Sequence, residues 1–335
     1  MRTTIIGGDI ETTVLGFGCA SLFHLPSRKQ RRRILDAAYD VGIRHYDVAP
    51  MYGLGIAEQE LGAFARAHQG VVLATKFGIE PTVLARGLAR LQGPVRGILG
   101  SIPALQRRAK SAAAGPGSGP LGRLLYLARG YDTAAARASL DASLRRLKRG
   151  HVDLYLLHDP SPAAVPADLI GYLQDARAQG LLRGWGVAGP TDDALEIGAT
   201  LGASSVIQVP YDGLGRAESS GAARWPGGMI TYGVLGRTMS RIRALQGTGE
   251  LRRWSDTVGF DLADPELSAA MLMGDALRQG VSGVLLYSTT RAERVVAAAR
   301  LVEDDERRSH EHLAPFRAFL QALDRGLVPA RHIDQ

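Results

Sequence analysis

Eight short apolar runs alternating with stretches at helical spacing constrain this chain more than any other feature. They are VLGFG at 14–18, RHYD at 44–47, VVLAT at 71–75, VDLYLL at 152–157, RGWGVA at 183–188, SVIQV at 205–209, MITYGV at 229–234 and GVLLYS at 283–288. Such continuous runs belong to strands covered on both faces, as in parallel sheets. Ser27 opens a helix whose Ile34, Leu35, Ala38 and Val41 share a face until Gly42 stops it, and further helices are expected over 56–68, 133–149, 164–179, 191–202 and 304–324. Eight alternating units close into a (β/α)8 barrel, the TIM-barrel arrangement, which grows beyond ~250 residues by insertion. The competing fold, a doubly wound sheet, opens with a G-x-G-x-x-G phosphate loop, whereas GFGCAS at 16–21 lacks the third glycine and meets no immediate helix. Ahead of the barrel, TTII and TTVL flank Gly7-Gly8 as a β-hairpin.

The whole chain, 1–335, is thus expected to be one barrel domain with two interruptions. The first, 81–131, is an irregular insertion carrying Arg107, Arg108, Lys110 and other basic residues but no acidic one, around a GPGSGP hinge. The second, 210–228, replaces the helix due between strands six and seven. Both are expected on the C-terminal face, where barrels of this kind build their sites. The basic insertion reads either as a lid that draws an anionic substrate by its charge or as a surface loop made basic by a genome-wide preference for arginine.

Composition matters here for what it excludes. With 45% hydrophobic and 22% charged residues the chain is globular rather than disordered. Cys19 is the one cysteine, so no intramolecular disulfide forms, and no Cys/His spacing suits a structural zinc. The net charge of +7 is nearly all scattered arginine, the lysines being only Lys29, Lys76, Lys110 and Lys148. Without a basic stripe interleaved with aromatics, no nucleic-acid partner is expected. No run approaches the ~18 apolar residues of a membrane span. The opening MRTTIIGGDIETTVLGFG is too broken for a signal peptide, so a cytoplasmic protein is expected. Oligomeric state has no signature.

Four chemistry-bearing residues fall at strand ends. Asp47 closes the second run, Lys76 and His158 follow the third and fourth, and Tyr52 lies five residues beyond Asp47. Each alone also reads as a turn, cap or packing residue. A lysine ending an apolar strand, however, needs a partner for its charge. Gathered on one rim, they form an acid and base apparatus: Asp47 holds Lys76 charged, and Lys76 is expected to lower the Tyr52 pKa from its ordinary ~10. His158 hydrogen-bonds a substrate oxygen or relays a proton. His45 is expected to point away from Asp47 and to pack, Cys19 to be a small buried hydrophobe, Trp225 to line the substrate site, and Trp185 and Trp254 to be structural.

Three segments resemble the aldo-keto reductase family: HYDVAPMYGLGIAEQELG at 45–62, LATKFG at 73–78 and SLRRLKRGHVDLYLLHDP at 143–160. On that resemblance Asp47, Tyr52, Lys76 and His158 occupy the catalytic tetrad. Gln208 matches the glutamine that holds the nicotinamide carboxamide, Tyr232 matches the aromatic that stacks on the ring, and the loop Gly233, Leu235, Gly236 lies along the pyrophosphate. The segment LLYSTTRAERVVAAAR implies that Ser288, Thr289, Thr290 and Arg291 grip a 2′-phosphate at a helix N-terminus, or merely cap that helix. The chain departs from the family where Ala188 and Gly189 stand for a Ser-Asn pair, where Ser288 stands for a glycine and where Ala298 stands for an asparagine. The resemblance implies hydride transfer between a nicotinamide cofactor, NADP in preference to NAD, and a small-molecule carbonyl or alcohol: an aldehyde, ketone or sugar. Two alternatives stay open, a non-redox lyase or epimerase on the same barrel and a cofactor-binding regulatory protein.

Overall fold

A hairpin closes one end of the fold before the barrel begins. The computed structural model describes residues 1–90, 125–211, 213–214, 225–279, 283–304 and 311–326. β1 (Thr3–Ile6) and β2 (Ile10–Thr13) pair antiparallel with Ile6 opposite Ile10. The second strand is therefore IETT, not the expected TTVL, and Asp9 joins Gly7 and Gly8 in the turn. Burial explains the register, since it puts Ile6 and Ile10 on one face, 1% and 0% exposed.

β3 (Leu15–Gly18), β4 (His45–Asp47) and β5 (Val72–Phe77) come next, then an excursion through β6 (Ile79–Pro81) and β7 (Tyr126–Ala128). β8 (Val152–His158), β9 (Leu182–Ala188), β10 (Val206–Pro210), β11 (Met229–Tyr232) and β12 (Gly283–Tyr287) complete eight parallel strands, and β12 pairs with β3 to close the barrel. All eight expected runs are strands, with ends moved by one or two residues. Ile6 and Ile10 reach up to Val72, Leu154, Val206 and Val284, so the hairpin plugs the barrel floor with apolar contacts. On the outer surface Tyr46, Phe64 and Tyr155 pack under the helices, with Phe77 stacked on Tyr155 at 4.7 Å between centroids.

Helix ends follow local chemistry. Ser27 caps Arg28–Asp40 through a capping box with Gln30, which satisfies two otherwise orphaned amides. Pro162 and Pro166 delay the helix expected from 164, which runs Leu169–Ala178. The final helix expected over 304–324 runs Leu313–Asp324, Ala292–Asp304 is the helix that follows β12, and 305–310 lie outside the described residues. Glu58, 1% exposed, accepts from the Thr75 hydroxyl and from Arg146. That satisfied carboxylate ties helices Ala57–Ala65 and Thr133–Leu147 to the outer face of β5, beside Lys76.

The first interruption is less irregular than its composition implies. β6 and β7 form an antiparallel ladder with Glu80 opposite Leu127, and Val83–Arg90 is helical. Residues 91–124, with Arg107, Arg108 and Lys110, lie outside the described residues, as do 212 and 215–224 of the second interruption. Among the described residues no helix is long and apolar enough to cross a membrane.

Candidate active site

Strand alternation builds the site. Residues two apart on a strand share a face, so the inward faces carry His45 and Asp47 on β4, Ala74 and Lys76 on β5, Leu156 and His158 on β8, and Val206 and Gln208 on β10. The lower member of each pair sits in the barrel interior and the upper member is polar at the mouth. This corrects the expected direction of His45, which lies on the Asp47 side. Its Nδ1 is 3.3 Å from Thr12 Oγ1, and its Cδ2 is 2.9 Å from where a Cβ on Gly16 would stand. Tyr46 is the residue that points out, toward Phe17 and Phe64. His45 packs, as expected; burial lowers its pKa to about 4 and keeps it neutral.

The four rim residues do meet. Lys76 Nζ donates to both Asp47 oxygens at 2.5 and 2.6 Å and to the Val48 carbonyl at 3.4 Å, with Lys76 and Asp47 only 2% and 3% exposed. Gln208 Nε2 donates to Asp47 Oδ2 at 3.0 Å. The ammonium faces the Tyr52 ring at 5.2 Å, and the Tyr52 and His158 rings meet edge to face at 6.2 Å. Burial works against the Lys76 charge, but Asp47 and Tyr52 outweigh it and raise the pKa, so the ammonium persists. For Tyr52 burial is also the largest influence; Lys76 opposes it without winning, and the pKa goes up instead of down. Tyr52 is therefore a phenol at neutral pH, ready to give a proton. Burial, then the Lys76 charge, lowers His158 to about 3, so its ring is neutral.

Support from outside the barrel holds this geometry. Tyr131 donates its hydroxyl to the His158 carbonyl at 2.5 Å. Gly78, at φ 109°, lets that ring approach, since a Cβ there would stand 2.3 Å from Tyr131 Cε1.

A cleft of about 800 Å³ opens above the tetrad and is lined by all four of its members. Gln208, Tyr232, Gly233, Leu235 and Gly236 also line it, as do Ser288 and Thr289. Tyr232 is 37% exposed at the mouth. Nothing lies within 4 Å of where Cβ atoms on Gly233 and Gly236 would stand, which leaves their backbone open to a ligand. Gln208 Oε1 and His158 Nδ1 are buried with no hydrogen-bond partner among the described residues. Ser288 is committed to a tie between strand ends, its hydroxyl 2.7 Å from the Gly18 carbonyl. Thr290 and Arg291 lie off the cleft wall, and Arg291 Nε donates to Glu293 at 2.6 Å. The arginines on the wall are Arg294 and Arg243, which sequence reasoning missed. Helical spacing held the signal: Arg294 is one turn beyond Arg291, and Arg243 shares a face with Gly236 and Met239.

The other candidates resolve into packing. Burial pushes the Cys19 thiol far up, so it carries no thiolate. Trp225 donates its indole N–H to the Ser205 carbonyl, just before β10, and lies against Gly198. It therefore sits at the end of the barrel opposite the cleft, not in a substrate site. Trp185 bonds the Leu201 carbonyl at 3.1 Å, and Trp254 packs on Phe319. Among the described residues no cluster of His, Cys, Asp and Glu is placed to hold a metal ion.

Comparison with known proteins identifies the family and agrees with the fold. A model of the aldo/keto reductase family matches residues 14–221. A D-threo-aldose 1-dehydrogenase from a Pseudomonas species is 31% identical over 194 residues, 54% of this chain and 51% of that protein, so the chain spans about half the length of this curated relative. The fold superposes on an aldo-keto reductase from Bacillus halodurans with a TM-score of 0.66 at 20% identity, covering 100% of this chain and 99% of that one. It also superposes on an aldo-keto reductase from Klebsiella pneumoniae, solved in complex with NADPH, with a TM-score of 0.63 at 21% identity, covering 100% and 98%.

Proposed function

This chain belongs to the aldo/keto reductase family, and from that premise we propose that it is an NADP(H)-dependent oxidoreductase acting on a carbonyl or alcohol carbon of a small sugar or related aldehyde or ketone. The observation that carries the reading is the buried Lys76–Asp47 pair beneath Tyr52 and His158, at the bottom of a cleft that also presents the unfilled Gln208 Oε1. A nicotinamide dinucleotide fits the remaining wall. Gln208 Oε1 accepts an amide N–H, the exposed Tyr232 ring offers a stacking face, and the open backbone around Gly233, Leu235 and Gly236 suits a pyrophosphate. Thr289 and Arg294 line the wall where a 2′-phosphate would lie, beside Ser288, while Thr290 and Arg291 stand just off that wall. The Arg291–Glu293 pair is exposed on both sides, and such pairs contribute little, so the guanidinium is free to turn to a phosphate.

When bound, the dinucleotide supplies or receives the hydride. In the reducing direction Tyr52 gives its proton to the carbonyl oxygen, and the Lys76 ammonium stabilises the phenolate left behind. Asp47 keeps that ammonium charged in a dry site. His158, neutral, offers the same oxygen a hydrogen bond and so fixes its position against Tyr52. Oxidation runs the same path in reverse. The sugar class is supported by the aldose dehydrogenase relative, and NADP by the Klebsiella neighbour.

Tyr52→Phe tests the mechanism: turnover should fall roughly 100-fold or more, while NADPH affinity from fluorescence titration stays put. Near-native turnover would remove Tyr52 from proton transfer. For cofactor choice, Arg291→Ala and Arg294→Ala should weaken NADPH by about 1.5 to 3 kcal/mol in sum, the worth of a hydrogen bond to a charged group, with NADH barely affected. Equal losses for both dinucleotides would take the 2′-phosphate away from these arginines.

A further inference from the structure

Asp159, the residue after His158, has an unusual geometry. Among the described non-glycine residues it is one of three with positive φ, at 52°, a conformation that aspartate tolerates better than most. Its amide donates to the Ala188 carbonyl at 2.7 Å, and the Gly189 amide donates to the Gln208 carbonyl at 3.0 Å. The ladder thus continues past β8, β9 and β10 and holds Asp159, Gly189 and Gln208 side by side at the mouth. The left-handed turn swings the carboxylate sideways, so that Oδ1 lies 3.6 Å from where a Cβ on Gly189 would stand. The side chain of residue 159 borders the room left by the missing side chain of residue 189.

Asp159 is exposed on the rim of the cleft it lines, and its carboxylate accepts no hydrogen bond from the described residues. Partial burial raises its pKa, opposed by Lys76. It is also the strongest neighbouring charge on Tyr232, whose pKa burial pushes up to about 12. A capping or turn role would tie the oxygens to nearby amides, and none is engaged. On strand ends separated only by the end of β9 the cleft therefore holds two acceptors without a partner among the described residues, Asp159 and Gln208 Oε1, the latter buried. Their complement is one group with two hydrogens to give, a primary amide.

We infer that Asp159 and Gln208 together grip the nicotinamide carboxamide, each accepting one of its N–H groups, and that Asp159 takes over the recognition lost with the side chain at Gly189. The inference rests on the dinucleotide reading above. It makes Asp159 a cofactor-binding residue selective for the amide.

The test compares dissociation constants, by fluorescence titration, for NADP+ and its 3-acetylpyridine analogue, in which a methyl replaces the amide NH2. The parent protein should bind NADP+ at least about tenfold more tightly than the analogue, as expected for hydrogen bonds to a charged acceptor. Asp159→Gly, which keeps the positive φ without strain, should shrink that ratio toward the part owed to Gln208. Asp159→Asn, which keeps an acceptor oxygen, should restore much of it. A structural role would weaken both dinucleotides alike, and an unchanged ratio in Asp159→Gly overturns the inference. So does a loss confined to the KM for a sugar, which would move Asp159 to the substrate. If the parent binds NADP+ without preferring it, the Asp159 inference fails while the proposed function stands; if it binds neither dinucleotide, the proposed function itself fails.

Discussion

Two levels inside one barrel differ by a single step of the strand pleat. At the lower level Ala74, Leu156 and Val206 close on Ile6 and Ile10 of the hairpin, and His45 is a neutral ring among them. Two residues further along the same strands stand Lys76, His158 and Gln208. The lower level stabilises the fold by burying apolar surface. The upper level keeps a charged pair 2% and 3% exposed, an arrangement that is poor evidence of stability because desolvation offsets the attraction. The difference teaches that one pleat on the same backbone is enough to exchange apolar packing for buried titratable groups.

The sharpest way to break this comparison is to give the upper level a lower-level residue. Lys76→Met strands a buried carboxylate and should destabilise the fold by about 3 to 5 kcal/mol, read as a shift of the urea midpoint, with activity lost. Asp47→Leu combined with Lys76→Met should recover most of that stability and stay inactive. A double variant no more stable than the single would mean that the pair does contribute to stability. The complementary change, Leu156→Ala, should cost about 2 to 5 kcal/mol as a core cavity while turnover below the midpoint changes less than roughly threefold. A selective loss of turnover would show that the two levels are not separable.

Acid provides a smaller and graded effect. His45 at about 4 and His158 at about 3 lie below the ordinary histidine value. Above pH ~6.5 both are neutral folded and unfolded, and neither affects stability. As pH falls from there toward 4, the unfolded chain takes up protons that the fold refuses. Stability should then drop by about 1.4 kcal/mol per pH unit per histidine, levelling only below the folded values. His45→Leu should remove its share of that slope in urea titrations between pH 8 and 4.5. An unchanged slope would mean that His45 takes up its proton without unfolding.

The sequence makes the two levels unequally legible. Continuous apolar runs mark all eight barrel strands, because burial on both faces leaves no other pattern. The meeting of the four rim residues is legible because a lysine at the end of such a run has few structural excuses. What escaped involves three-dimensional sums. The Tyr52 pKa weighs burial against the Lys76 charge, and only the packed site reveals that burial wins. The β6–β7 ladder joins segments separated by 91–124, beyond the reach of local pattern. The loop around Trp225 does not reveal its neighbours, which lie at the far end of the barrel, and Arg294 on the cleft wall is one helical turn past Arg291. His45 needed only the alternation rule applied with care.

The bond from Gln208 to Asp47 has a further consequence. Asp47 already receives two contacts from Lys76, and a carboxylate repels an amide oxygen, so it dictates which end of the Gln208 amide faces the cleft. One carboxylate thereby holds the charge of Lys76 on β5 and sets the orientation of the Gln208 amide on β10. Energetic effects at Asp47, Lys76 and Gln208 are then coupled rather than additive: in a double-mutant cycle, the consequence of altering Gln208 depends on whether Asp47 is still there to orient it. In the proposed function, proton transfer and ligand recognition would thus depend on the same carboxylate.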